Sequence, residues 1–102
     1  MTYRDDEAWI TVADRNRRSI LLALAEGERT VGQLAEVLPV TQPAVSQHLK
    51  VLKAVGLVSD RAEGTRRIYR LNEAGVAAMR DQLDAFWTRT LSGFEDLMKE
   101  EG

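Results

Sequence analysis

Residues 41–57 read TQPAVSQHLKVLKAVGL, and how this stretch folds decides how the rest of the chain is read. Thr41 offers a hydroxyl to cap a helix, and Pro43 fits the first turn because the amide it lacks would have had no intrahelical acceptor. Val45, Leu49 and Leu52 recur at steps of four and three, so the spacing predicts a helix over 42–54 with that face turned inward. Gly56 can adopt the left-handed geometry that ends it. The opposite face carries Gln42, Ser46, Gln47, Lys50 and Lys53, all hydrogen-bond donors and none acidic. That chemistry suits an acceptor-rich partner such as phosphate oxygens and purine edges.

Upstream, Thr30 and Gln33 have the spacing of a capping box, followed by Leu34, Ala35 and Leu38 as an inward face and by Pro39 as a stop. The short connection to Thr41 makes residues 30–54 a helix-turn-helix, with 42–54 as its reading helix. Before it, Asp14 caps a helix reaching about Glu26, with Ile20, Leu21 and Leu24 inward and Gly27 after its end. Arg15, Arg17 and Arg18 crowd its first turn, where positive charge opposes the helix dipole. They pair either with Asp5, Asp6 or Glu7 or with phosphates. Residues 4–13, with Trp9 and Val12 among the charges, are read as a further helix.

Downstream, the pattern shortens into LVSDR, AEGT and RRIYRL. Residues 57–71 are expected to form a two-stranded hairpin turning at Glu63-Gly64, a wing whose tip carries Arg61, Arg66 and Arg67. From Asn72, expected as a cap, a helical pattern runs to about Lys99. Val76, Met79, Leu83, Phe86, Trp87, Leu91 and Phe94 lie along it in an apolar stripe, and Ser92-Gly93 is a point where it could kink or split. At about 1.5 Å per residue such a rod exceeds ~35 Å, too long for so small a domain to cover. The economical cover is the same helix of a second copy, with residues 1–13 and 72–99 as dimerisation helices; the alternative is a seat on its own domain.

The chain has 102 residues, the size of one domain, here taken as a single winged-helix unit over 1–102. With no cysteine, disulfides, thiolate metal sites and thiol redox chemistry are excluded. No apolar run suggests a membrane span, and the acidic start MTYRDDEAW is unlike a secretion signal, so a soluble cytoplasmic protein is expected. The net charge of −2 is unfavourable for a partner of phosphate, but residues 42–71 alone carry +4 while residues 72–102 carry −4. Positive charge is thus gathered on the reading helix and wing. No phosphate-cradling glycine loop is present, and the lone His48 has no nucleophile or carboxylate placed beside it by the pattern, which argues against an enzyme.

TQPAVSQHLKVLKAVGLV followed by EGTRRIYRL resembles the winged-helix repressors of the ArsR type, and the resemblance extends over nearly the whole chain. It implies a mainly α fold with a small β-hairpin, a winged helix-turn-helix with a long C-terminal dimerisation helix. The implied function is that of a homodimeric transcription regulator, usually a repressor, on an inverted-repeat operator in double-stranded DNA. The expected DNA-binding residues are Gln42, Pro43, Ser46, Gln47, His48, Lys50, Arg61, Thr65, Arg66 and Arg67; of these Gln42, Ser46 and Gln47 are expected at base edges and Lys50, Arg66 and Arg67 at phosphates. His48 is implied to be structural or phosphate-contacting. The expected dimer surface is Trp9, Val12, Met79, Leu83, Phe86, Trp87, Leu91 and Phe94.

Metal-sensing members of that family carry a Cys-x-Cys pair where this chain has Thr30 and Gly32, which cannot hold a soft ion. Others use histidines and carboxylates on the last helix, where this chain has no histidine and where Asp81, Asp84 and Glu95 are spaced as a solvated face. No metal or cofactor is therefore expected. Asp14-Arg15 also stands where the family commonly has Asp-Pro. A rival reading keeps the fold but makes it a protein-interaction module that does not bind DNA.

Overall fold

The computed structural model describes residues 11–101. Its elements are α1 (Arg15–Ala25), α2 (Val31–Val37), α3 (Gln42–Ala54), β1 (Val58–Glu63), β2 (Arg66–Leu71) and α4 (Glu73–Glu101). This is the winged helix-turn-helix expected from the sequence. The helix read over residues 4–13 falls largely outside the described residues, as does Trp9.

Local chemistry sets the helix starts. The Asp14 carboxylate accepts from the amides of Asn16 (2.8 Å) and Arg17 (3.1 Å), satisfying two donors that the first turn would leave unpaired. At α2 the capping box closes in both directions, Gln33 N–H donating to Thr30 Oγ1 at 3.2 Å and Thr30 N–H to Gln33 Oε1 at 2.9 Å. The Thr41 hydroxyl accepts from Ala44 N–H at 3.3 Å, with Pro43 in the first turn of α3. The other end of α3 is a Schellman motif: Gly56, at φ +84°, donates to Lys53 O (3.1 Å) and Leu57 donates to Leu52 O (3.0 Å). Leu52 and Leu57, the two apolar residues of that motif, are both buried.

The inward faces meet in one core of Ile20, Ala23, Leu24, Leu34, Val45, Leu49, Leu52, Leu57 and Val58. Each large aliphatic side chain fully buried there is worth about 1.5–3 kcal/mol relative to exposure. Leu21, Ala35 and Leu38, expected inward, are partly buried against it, and so are Val12, Val76 and Met79. The first two turns of α4 therefore belong to the domain, and the rest of the helix leaves it.

The wing is an antiparallel pair with Val58 opposite Leu71 and Glu63 opposite Arg66. The turn residues are Gly64 and Thr65; φ is +64° at Gly64, the only positive φ of the turn, as a type II′ turn requires. This register corrects the expected tip. Arg61 lies opposite Ile68 and Arg67 opposite Ala62, so both sit down the strands, and only Arg66 of the three arginines is at the tip. A further pairing was not foreseen: Arg29 exchanges backbone hydrogen bonds with Tyr69 at 3.1 and 2.9 Å, tying the turn after α1 to the outer edge of β2.

Two expectations about α4 are also corrected. Asn72 holds the capping position, since its carbonyl accepts from Val76 N–H at 3.0 Å, but its side-chain amide donates to the Gly56 carbonyl at 3.0 Å. The start of α4 is thus fastened to the α3–β1 turn. Gly75 explains the close approach, because a Cβ there would overlap the Gly56 carbonyl oxygen and come within 2.8 Å of its carbon. Ser92-Gly93 does not split the rod, which is one helix of 29 residues. At about 1.5 Å per residue it is roughly 43 Å long, and it gives the molecule a long axis of 64 Å against 26 and 23 Å across.

Candidate nucleic-acid interface

The inward register of Val45, Leu49 and Leu52 leaves α3 one outward stripe. Gln42, Ser46, Gln47, Lys50 and Lys53 are all exposed on it, as the sequence predicted, and so is Pro43. No acidic residue stands in its first turn, so the positive end of the helix dipole is uncompensated there, an arrangement that favours phosphate. Thr65 and Arg66 are exposed at the wing tip. Among the described residues neither Lys50 nor Arg66 has an ion-pair partner.

The remaining wing arginines are held. Arg61 Nη2 lies 2.8 Å from Glu28 Oε1 and 3.4 Å from Glu63 Oε2. Hydrogen bonding to Arg61 holds the Glu28 carboxyl below its usual range, and Glu28 in turn raises Arg61. Arg67 Nη1 lies 3.0 Å from Asp60 Oδ2, while Lys53 Nζ lies 2.8 Å from Asp60 Oδ1. One carboxylate therefore joins the last turn of α3 to the wing. The hydrogen bond from Lys53, with that from Arg67, depresses the Asp60 carboxyl against the opposing effect of burial.

His48 is half-buried at the border of the core face, with Nδ1 3.4 Å from Arg17 Nη1. A guanidinium can only donate, so in this contact Nδ1 is the acceptor. Arg17 also donates from Nε to the Thr11 carbonyl at 3.0 Å and lies 3.9 Å from the Asp14 carboxylate. Its described partners are thus its own cap, the preceding backbone and the reading helix; Asp5, Asp6 and Glu7 lie outside the described residues. Arg15 and Arg18 are exposed.

Of the expected dimer surface, Val12 and Met79 pack partly against the chain's own core, and Leu83 is half-buried. Beyond them Trp87, Leu91 and Phe94 are 54–58% exposed, and Leu97 and Met98 continue the stripe. Phe86 stacks edge-to-face on Trp87 with centroids 5.1 Å apart. The described residues include no cluster of three or more histidines or carboxylates fit to hold a metal, and no described helix is long and apolar enough to cross a membrane. Asp60 is the site residue that sequence reasoning missed, where it counted only as an acid diluting a basic segment. Its signal was the Lys53-to-Asp60 and Asp60-to-Arg67 spacing, seven residues each way, which becomes a contact only once the hairpin register is known.

A family model described as bacterial regulatory protein, arsR family, matches residues 14–60. The chain is 56% identical over 102 residues to the HTH-type transcriptional regulator Rv2034 of Mycobacterium tuberculosis, covering 99% of this chain and 95% of that one. A crystal structure described as a possible transcriptional regulator for arsenical resistance superposes with a TM-score of 0.74 at 38% identity, over 84% of this chain and 94% of that one. The solution structure of the homodimeric winged helix-turn-helix DNA-binding domain of Mb0332 from Mycobacterium bovis is similar at a TM-score of 0.69 and 32% identity, over 86% and 82%.

Proposed function

The chain belongs to the arsR family of bacterial regulatory proteins, and from that membership we propose that it is a homodimeric repressor that reads an inverted-repeat operator. That it is a transcriptional regulator of the DNA-binding type follows from the family; the oligomer, the operator and the contacts are our reading. Two copies of α3 enter successive major grooves about 34 Å apart on one face of the duplex. Gln42, Ser46 and Gln47 meet base edges, an amide being able to pair bidentately with adenine. Lys50, Thr65, Arg66 and Arg67 meet backbone phosphates, with Arg61 and His48 supporting the wing and the reading helix. Repression follows from occupying promoter DNA that the polymerase needs.

The observation that carries this reading is the acid-free donor face of α3 beside a wing whose tip arginine has no described counter-charge. The dimer is supported by Trp87, Leu91, Phe94, Leu97 and Met98 of the α4 stripe, each more than half exposed on the single chain, and by the homodimeric state of the Mb0332 domain. The chain is read as not metal-responsive: Thr30, at the first position of the family's cysteine pair, is committed to capping α2. Selection from a random duplex pool tests the proposal. Recovered sequences should share an inverted repeat with half-sites one helical turn apart; no retardation of any duplex at low salt would favour the protein-interaction reading.

A further inference from the structure

A cleft of about 400 Å³ opens between the reading helix and the wing. Ser46, Lys50 and Lys53 form one wall, and Asp60, Arg67 and Tyr69 the other. Asp60 is the one acid among its described lining residues, and its place is unusual. Its side chain is only 7% exposed, whereas those of Lys53 and Arg67 are each 54% exposed. The carboxylate lies beneath and the two cations lie above it, facing out.

Each Asp60 oxygen takes one cation, Oδ1 the Lys53 ammonium at 2.8 Å and Oδ2 the Arg67 guanidinium at 3.0 Å. Neither cation is used up. An ammonium has three donors and a guanidinium five, so two and four remain for another acceptor. Fold geometry brings the three together: Asp60 and Arg67 are diagonal neighbours on one face of the hairpin, and Lys53 ends α3, where the helix dipole favours a cation. Lysine and arginine lose much rotamer freedom when a phosphate fixes them. Here the carboxylate has already removed that freedom.

We propose that Asp60 is a positioning residue for DNA binding, holding Lys53 and Arg67 as a preformed fork that receives one backbone phosphate where reading helix and wing meet. The inference rests on the DNA-binding reading and adds to it a residue of the wrong charge. Simple electrostatics makes the opposite forecast, since a carboxylate near a polyanion repels it and its removal tightens binding.

Asp60→Asn separates the two. With the inverted-repeat duplex that the wild-type chain selects from a random pool, the variant should bind about tenfold more weakly despite its lost negative charge. Its salt slope should fall by about 1, because a phosphate no longer gripped by the fork keeps its counterion. Equal or tighter binding overturns the proposal and makes Asp60 a mask over the two cations. If Asp60→Asn melts below the assay temperature, Lys53→Met and Arg67→Met decide instead, singly and together. One shared phosphate requires the double variant to lose little more than either single, and fully additive losses overturn it. A wild-type chain that binds no duplex sinks the DNA reading and this inference together. Wild-type binding with an unweakened Asp60→Asn sinks the inference alone.

Discussion

Gly75→Ala sets two effects of opposite sign against each other. In the first turn of a helix, alanine should be favoured over glycine by up to about 1 kcal/mol. Against that, the new Cβ would overlap the Gly56 carbonyl oxygen and lie 2.8 Å from its carbon. Gly56 cannot retreat cheaply. Its φ of +84° and its bond to Lys53 O close the end of α3, and its carbonyl accepts from Asn72 Nδ2 at 3.0 Å. Overpacking of this kind costs about 1–3 kcal/mol and a strained hydrogen bond about 1 more. The net loss is therefore roughly 1–3 kcal/mol, or a fall in Tm of about 5–20 °C for a domain of this size. Thermal unfolding followed by circular dichroism at fixed protein concentration measures it. Gly93→Ala is the internal control, because a Cβ there meets nothing within 4 Å of its own chain. A Gly75→Ala variant melting at or above wild type would refute the packing of α4 on the α3–β1 turn.

Replacing Arg66 and Arg67 by alanine should weaken binding on all sequences and flatten its salt dependence, and an unchanged slope counts against phosphate contact by the wing. Gln47→Ala should relax preference at one position per half-site, by about 1–3 kcal/mol if the amide contact is bidentate; equal losses on operator and random DNA exclude that role. Because hydrogen bonding from Lys53 lowers the folded-state pKa of Asp60, its contribution to stability is complete above the unfolded value of about 4 and disappears as pH falls through the lower folded value. Urea unfolding should therefore show wild type more stable than Asp60→Asn near pH 7, with the gap closing only below about pH 4. A gap independent of pH down to about pH 2 would show that the charge of Asp60 does not contribute.

What could be read from the chain was what depends on near neighbours. The caps at Asp14, Thr30 and Thr41 each rest on residues two or three positions away, and the buried positions of α3 follow from a period of 3.6. What could not be read depends on distant pairs. Gly75 meets Gly56 across nineteen residues, and nothing in the local pattern marks it. The turn expected at Glu63-Gly64 put Arg61 at the wing tip, but the pairing of Glu63 with Arg66 moves it two positions down its strand, to Glu28. Arg29 joins Tyr69 through backbone alone, which leaves no side-chain signature. Asp60 was misjudged for the same reason, because its meaning lies in two partners supplied by different elements.

Operator reading as proposed requires two chains joined through α4, so that both copies of α3 face one side of the duplex. Sedimentation velocity at micromolar protein, alone and with an inverted-repeat duplex, tests this directly. The expected result is a two-chain species in both samples, two chains per duplex, and its loss when Leu91 and Phe94 are changed to aspartate. Single chains at every concentration, or one chain per duplex, would contradict it.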